Sequence, residues 1–157
     1  MGDDDTGRTT SGLEHLQAVV RGDLPHAPID ALLGLRLVEV ESGRAVFHGS
    51  PVEAHGNLAG SIHGGYAALL LDSAMGCAAL TTVDAHQHCA TVAIELKLVS
   101  PMTAGMGNLV AEARAEHRGR HQVTATGRLV RERDGGLVAH GMTTCLVIGG
   151  ARPAGAD

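Results

Sequence analysis

One carboxylate, Asp72, lies in the middle of an apolar segment that runs from Ile62 to about Thr82. It is the only formally charged side chain between residues 62 and 83. An ionised carboxylate in apolar surroundings is costly unless it is paired, hydrogen-bonded or used in chemistry. Two interpretations therefore stay open: Asp72 is a base or nucleophile in a dry cleft, or it is a solvated or capped Asp at a subunit groove.

Small residues precede this carboxylate in the stretch Asn57-Leu-Ala-Gly-Ser-Ile-His63-Gly64-Gly65. Glycines let a ligand approach the backbone closely, and the first N–H groups of a helix have no partner inside that helix. Such groups suit an oxyanion or a polarised carbonyl oxygen. Taken alone the glycine pair is weak support for a site, because a Gly pair at a helix start is more often only a tight turn.

His63 and Asp72 cannot share a site within one chain if both belong to the same helix. They are nine residues apart, which is about 2.5 turns and ~13–14 Å of rise, so they point to opposite faces. If both are catalytic, the site must combine Asp72 of one subunit with His63 of another. The spacing therefore predicts a homodimer with shared active sites.

The elements that would position these residues follow the order helix, helix, two strands, long helix, four strands. The predicted helices are 13–20, 28–33 and 62–82, and the predicted strands are 35–40, 44–49, 91–99, 109–117, 121–131 and 137–148. The long helix is apolar on every side, which marks a helix that is buried all round. We therefore expect an α+β fold in which an antiparallel six-stranded sheet wraps one long buried helix, within a homo-oligomer.

The strand at 91–99 carries a particularly regular pattern. Val92, Ile94, Leu96 and Leu98 alternate with their neighbours, which predicts one apolar face along this strand. At 157 residues the chain has the size of one domain, which we place at 12–148. The ends, 1–11 and 149–157, are rich in Gly, Asp, Thr and Pro and are predicted to be flexible tails.

Composition excludes several classes of partner. The net charge is −5, and Phe47 and Tyr66 are the only aromatic residues. The chain therefore offers neither a basic footprint for phosphates nor a base-stacking platform, and we expect no nucleic acid partner. The stretch 66–83 contains Asp72, which costs roughly 2.5–3.5 kcal/mol in a bilayer, so we expect no membrane span.

The cysteines bear on the cellular compartment of the protein, and the histidines bear on a possible metal site. Three scattered cysteines do not form a disulfide framework, and the start of the sequence does not resemble a signal peptide. We therefore expect a cytoplasmic protein. His86-x-His88-Cys89 lies in one loop without a distant partner cluster, so no metal site is predicted.

Several spacings agree with one known family. The stretch Asn57-x5-His63-Gly64-Gly65-x6-Asp72, followed by Ser73-Ala74-x-Gly76, resembles the signature of PaaI-like (phenylacetate-degradation type) hotdog-fold acyl-CoA thioesterases. The later Thr91…Ser100-Pro101 and His117-Arg118-Gly119-Arg120 are also similar to that family. The resemblance covers roughly residues 30–148.

The resemblance implies a division of roles. Asp72 would activate water as a general base or attack the thioester itself, and the Gly64 N–H would bind the thioester oxygen. Asn57 would lie opposite Asp72 and help to hold water or substrate. His63 would organise the loop and the helix start, and Thr91 would help to place the water.

The resemblance also implies substrate contacts and an assembly. Gly65 and Ser73 would contact substrate, and Arg118 and Arg120 would lie near coenzyme A phosphates, although both arginines are equally consistent with solvated hairpin charges. The partner would be an acyl-CoA substrate, with no separate cofactor because coenzyme A is part of that substrate. A homodimer, paired into a dimer of dimers (a homotetramer), is expected.

One departure bears on the substrate. Related aryl-CoA branches carry Glu at the position of Asp72 and often a hydroxyl residue one turn later, where this chain has Gly76. This favours the PaaI-like branch and leaves the acyl group open. Two other functions remain as alternatives: a non-catalytic acyl-CoA-binding module, and a hotdog hydratase or dehydratase, whose His–carboxylate spacing this sequence lacks.

Overall fold

Two short helices precede the sheet in the computed structural model, which describes residues 9–149. Helix α1 spans Gly12–Arg21, and Ser11 and Glu14 form a capping box at its start. Helix α2 spans Pro28–Leu33. Both agree with the predicted helices. Since Ser11 caps α1, the last residue of the predicted N-terminal tail belongs to the fold.

Six antiparallel strands form one sheet. They are β1 (Leu35–Glu41), β2 (Arg44–Gly49), β3 (Gln87–Leu98), β4 (Leu109–Arg118), β5 (Gln122–Arg131) and β6 (Leu137–Gly149). Their order across the sheet is β1-β2-β4-β5-β6-β3, with antiparallel pairing at every step. The hotdog fold and the six-stranded sheet predicted from the sequence are confirmed. Strand β6 reaches Gly149, one residue into the predicted C-terminal tail, and residues 150–157 lie outside the described residues.

The long helix α3 spans Gly64–Leu80 and packs along the sheet. Its sheet-facing side is fully buried, with no exposed surface at Ala67, Leu70, Leu71, Ala74 and Met75. Its outer side is only partly covered and carries Leu69, Asp72, Ser73, Gly76, Cys77 and Leu80. The helix is therefore less completely enclosed by its own chain than its uniform apolarity predicted, and Asp72 lies on the less covered side.

Strand β3 forms one edge of the sheet and, among residues 9–149, pairs only with β6. The predicted apolar row on this strand is largely uncovered within the chain: Val92, Ile94 and Leu98 are 58%, 42% and 57% exposed. The alternation was right about the strand, but only Leu96 of this row packs against the core. An apolar edge strand presents both free backbone groups and hydrophobic side chains, which is the surface that pairs with another chain.

Candidate active site

Asp72 is held by a hydrogen bond from β3. Thr91 Oγ1 donates to Asp72 Oδ1 at 2.9 Å, joining the middle of α3 to the edge strand. Among the described residues no hydrogen bond to the second carboxylate oxygen, Oδ2, is present. A carboxylate fixed through one oxygen has the other available to accept a proton, which is the arrangement a general base requires.

A bulge in β3 directs Thr91 toward the helix. Thr91 pairs with Cys145 while Ala93 pairs with Thr144, so Val92 is an extra residue in the ladder. A bulge of this kind locally reverses which face a side chain points to. The Thr91 hydroxyl also lies 3.9 Å from the Cys145 sulfur. The bulge thus places a hydroxyl over Asp72 on a strand whose sequence alternates regularly.

Asn57 is bound within its own loop. Its side-chain oxygen accepts hydrogen bonds from the N–H groups of Ala59 at 2.9 Å and Ser61 at 3.2 Å, and its amide nitrogen donates to Ser61 Oγ at 2.9 Å. The residue therefore shapes the loop from 57 to 61. Sequence reasoning missed Ser61, although an Asn with a hydroxyl residue four positions later is a recognisable turn pattern.

Gly64, the first residue of α3, lies against the end of β3. A Cβ atom built on Gly64 would be 2.7 Å from Leu98 Cδ1, so only glycine fits without moving Leu98. Gly64 and Asn57 line one cleft of about 360 Å³ together with Leu98 and Ser100. The Gly64 N–H makes no hydrogen bond within the part of the chain that the structure describes, as expected for the start of a helix.

His63 is the N-cap of α3. Its side-chain Nδ1 accepts a hydrogen bond from the Gly65 N–H at 2.8 Å. Its backbone N–H donates to the His55 carbonyl. Gly65 faces a separate cleft of about 260 Å³ that His55 and Tyr66 also line. The Gly65 N–H is thus engaged by His63, and the structure brings Gly64, not Gly65, to the cleft that contains Asn57.

The remaining predicted substrate contacts are dispersed. Ser73 lines a cavity beside α1 rather than the Thr91 side of the helix. Arg118 donates to the Gly119 carbonyl and, at 3.3 Å, to Gln87 Oε1, whereas Arg120 is exposed in the turn after β4. Arg118 on β4 and Thr91 on β3 lie in the same row of paired residues across the sheet. Three strand spacings separate them, which is ~14 Å.

The predicted catalytic residues form two groups in one chain. Asp72 and Thr91 make the first group, and the loop from Asn57 to Gly64 makes the second. Gly64 and Asp72 are eight residues apart on α3, ~12 Å along the helix axis. Within one chain the two groups, the expected half-sites, do not meet, which agrees with the geometry expected from the spacing of His63 and Asp72.

Two cysteines, Cys77 and Cys145, lie near Asp72. Burial raises the pKa of the Cys77 thiol to about 12, with nearby negative charges adding to the shift, so it is not a thiolate at neutral pH. Burial also raises the pKa of Cys145, although a hydrogen bond to Thr91 opposes this. Among residues 9–149 no group of three or more His, Cys, Asp or Glu side chains could hold a metal ion.

Comparison with known families shows to which family the chain belongs. The family model of the Thioesterase superfamily matches residues 59–138, just over half of the chain. The chain belongs to the thioesterase superfamily. The match begins within the Asn57 loop and extends across α3, β3, β4 and β5, so it includes both half-sites except Asn57 itself. A search of curated proteins finds no significant match.

Solved structures agree with this membership. A phenylacetic acid degradation-related protein from Ralstonia eutropha is 28% identical with a TM-score of 0.75, covering 83% of this chain and 98% of that one. PaaI of Escherichia coli is 21% identical with a TM-score of 0.76, covering 89% and 98%. A Streptococcus mutans protein solved with acetyl CoA bound is 22% identical with a TM-score of 0.66, covering 75% and 91%. The predicted resemblance to PaaI-like hotdog thioesterases is confirmed. The structure contains no helix, among residues 9–149, long and apolar enough to cross a membrane.

Proposed function

We propose that this thioesterase-superfamily chain is an acyl-CoA thioesterase that works as a homodimer with two composite active sites. The observation that carries the proposal is the Thr91–Asp72 hydrogen bond of 2.9 Å beside an unpaired sheet edge. A carboxylate oriented by a hydroxyl has the chemistry of a base or a nucleophile. Family membership supports thioester hydrolysis in general, and the roles of individual residues are part of the proposal.

Pairing of two β3 edges explains how the half-sites meet. If two copies of β3 pair antiparallel about a two-fold axis at Glu95, Ile94 of one subunit lies opposite Leu96 of the other. Because Val92 is an extra residue in the ladder, Thr91 then lies opposite Leu98. Leu98 contacts the position of Gly64, so Asp72 and Thr91 would face the partner's Asn57–Gly64 loop. The same pairing would cover Val92 and Ile94, which the single chain leaves exposed.

The reaction would use both halves of the composite site. Asp72 would take a proton from water as the water oxygen attacks the thioester carbonyl carbon, or its carboxylate would attack directly to form an anhydride that water then hydrolyses. The Gly64 N–H of the partner subunit would hold the developing oxyanion. The C–S bond then breaks, coenzyme A leaves as the thiolate and takes up a proton, and the free acid remains.

Coenzyme A binding would involve the far end of the hairpin. Arg118 and Arg120 would contact phosphates there, with Arg120 the more available because it is exposed while Arg118 is engaged with Gln87. Asn57 would act chiefly by shaping the loop that presents Gly64. The S. mutans protein shows that this fold accommodates acetyl CoA.

Release of free thiol tests the function directly. Purified protein is incubated with acetyl-CoA, octanoyl-CoA and phenylacetyl-CoA, and free coenzyme A is measured with a thiol-reactive dye. A thioesterase releases thiol with turnover from at least one substrate. Tight binding of acyl-CoA without thiol release would identify a binding module instead, and hydration of an enoyl-CoA without thiol release would identify a hydratase.

Thr91→Val should lower kcat about tenfold, because it keeps the side-chain shape and removes one hydrogen bond to a charged group. KM should change little, since Thr91 would position Asp72 rather than bind coenzyme A. Thr91→Ser keeps the hydroxyl and should restore most of the activity. Thr124→Val, on β5, is the matched control. Unchanged kcat in folded Thr91→Val would show that the hydrogen bond has no part in the reaction.

A further inference from the structure

A cavity of about 570 Å³ lies on the flank of α3 that faces α1. Its walls are mostly aliphatic and come from α1, from the segment between α1 and α2, and from β1 and β2. Leu16, Val19, Leu37 and Phe47 contribute to them. The volume is within the range of small-molecule sites.

One end of this cavity is polar. Asp30 is only 5% exposed, and its Oδ2 lies 3.7 Å from His26 Nδ1, too far for a hydrogen bond. His26 Nδ1 is buried and has no hydrogen-bond partner within the described part of the chain. Burial raises the pKa of the Asp30 carboxyl, although the neighbouring His26 opposes the shift. A buried carboxyl and an unpartnered imidazole nitrogen at the end of an apolar cavity are costly without a ligand.

The cavity adjoins the side of α3 that carries Asp72. Ser73 and Cys77 line it from α3. Around the outer side of the helix, Gly76 lies between Asp72 and Ser73, since successive residues are separated by about 100°. A Cβ atom at Gly76 would meet no described atom within 4 Å. No side chain of α3 therefore separates the Asp72 carboxylate from the edge of the cavity.

Cys77 provides a second link between the two carboxylates. After burial, the negative charges of Asp30 and Asp72 are the next causes that raise the pKa of its thiol. Asp30 lines the same cavity as Cys77, and Asp72 precedes Cys77 by five residues on α3, ~7.5 Å along the helix axis. The polar end of the cavity and the catalytic carboxylate are therefore on adjoining surfaces of α3.

We propose that this cavity is the acyl pocket and that His26 and Asp30 select aliphatic acyl groups with a hydroxyl at the far end. The inference rests on the proposed thioesterase function for the placement of the thioester at Asp72. The acyl chain would cross Gly76 and enter between Ser73 and Phe47. No catalytic role is assigned to His26 or Asp30, which would bind only the substrate's distal group.

A hydroxyl fits both polar atoms because it donates one hydrogen bond and accepts others. It would donate to the Asp30 carboxylate and contact His26 Nδ1, which accepts or donates according to its tautomer. A methyl group at the same point would offer no hydrogen bond to His26 Nδ1 and would place an apolar group against the Asp30 carboxylate. A second carboxylate would lie against Asp30 and be repelled, so dicarboxylic acyl groups are excluded.

Binding of two non-hydrolysable analogues tests the pocket independently of catalysis. S-octyl-CoA and S-(8-hydroxyoctyl)-CoA are thioethers, so their dissociation constants can be measured by calorimetry whether or not the protein is an enzyme. Wild-type protein should bind the hydroxyl compound about tenfold more tightly, as expected for a buried hydrogen bond to a charged group. Equal affinities, or tighter binding of S-octyl-CoA, would overturn the proposed selectivity.

Variants of Asp30 test whether this residue causes the preference for the hydroxyl compound. Asp30→Leu should remove the preference or reverse it, and Asp30→Asn, which keeps the shape, serves if the leucine variant does not fold. Asp23 is an exposed carboxylate that lies between α1 and α2 and pairs with Arg21. Asp23→Leu is the matched control and should leave the preference intact. A tenfold preference that survives both Asp30 variants would place the hydroxyl elsewhere.

Gly76→Leu tests the path into the cavity. Its side chain would occupy the open space over α3, so affinity for both thioethers should fall at least tenfold while affinity for coenzyme A itself stays unchanged. Unaltered binding of the thioethers would overturn the path. If wild-type protein releases no thiol from any acyl-CoA yet discriminates between the thioethers, the thioesterase proposal fails and the pocket stands.

Discussion

Asp72→Asn is expected to lower kcat by a factor on the order of 10²–10⁴ with little change in stability. The amide keeps the size of the side chain and can still accept the hydrogen bond from Thr91. It cannot act as an effective base or as a carboxylate nucleophile. Because the side chain is only half-buried on the outer side of α3, the substitution leaves no charge or cavity in the core.

The measurement is kcat from thiol release at saturating acyl-CoA, alongside thermal melting of each protein. Asp23→Asn removes an exposed carboxylate that pairs with Arg21 and is the control for a general loss of negative charge. Folded Asp72→Asn with near-normal turnover would remove Asp72 from the chemistry. The site would then have to be built around another group.

Single-turnover hydrolysis in ¹⁸O-labelled water tests a nucleophilic role of Asp72. If Asp72 is a general base, the oxygen label enters the released acid and not the protein. If it is a nucleophile and water attacks the Asp72 carbonyl carbon of the anhydride, the acid leaves with an Asp72 oxygen and the label enters the Asp72 carboxyl group. Attack on the acyl carbonyl carbon instead labels the acid alone. Label in the peptide that contains Asp72, measured by mass spectrometry, therefore identifies a nucleophile.

Mixing two inactive variants should restore about a quarter of wild-type activity. One variant is Asp72→Asn and the other is Gly64→Pro, which removes the N–H proposed to hold the oxyanion. Proline is favourable at the first position of a helix, and His63 before it already has the extended backbone, φ −60° and ψ 136°, that a residue preceding proline adopts. The helix start should therefore be preserved.

The expected fraction follows from the composite site. In a hybrid dimer one site carries both defects and the other carries neither, because Asp72 and Gly64 of one site come from different chains. Random pairing after joint unfolding and refolding gives about half hybrids, each with one intact site of two. Activity should rise from near zero to roughly a quarter of that of the wild type.

Gly64→Ala is the matched control for this experiment. The alanine Cβ makes the same close approach to Leu98 Cδ1 as proline, but alanine keeps the N–H. Gly64→Pro is expected to lower kcat by a factor on the order of 10²–10³, and Gly64→Ala should retain far more activity. Verified hybrids without activity would rule out the shared site. The partners of Asp72 would then lie within its own chain.

Local patterns in the sequence determined the elements and the separation of the half-sites. The apolar run predicted α3, and the structure begins it at Gly64 with His63 as its cap. The spacing of nine residues between His63 and Asp72 was enough to predict that they lie far apart in one chain, because rise and rotation per residue are constant in a helix. Strand positions were also predictable, since alternation and turn residues are local properties. The exception is the start of β3, which begins at Gln87 instead of Thr91, so that His88 and Cys89 belong to the strand and not to the predicted loop.

Contacts between residues far apart in the sequence decided which side chains meet in the site and in the cavity. Thr91 came from the family resemblance, and its contact with Asp72, 19 residues earlier, depends on a bulge that alternation along β3 conceals. The exposure of Val92 and Ile94 follows from β3 lying at the edge of the sheet, a consequence of strand order. Only packing of α1 and α2 beside α3 brings Asp30 and Ser73 to one cavity. Such contacts join residues far apart in sequence, so no local pattern encodes them, and the tertiary structure alone decides which side chains meet.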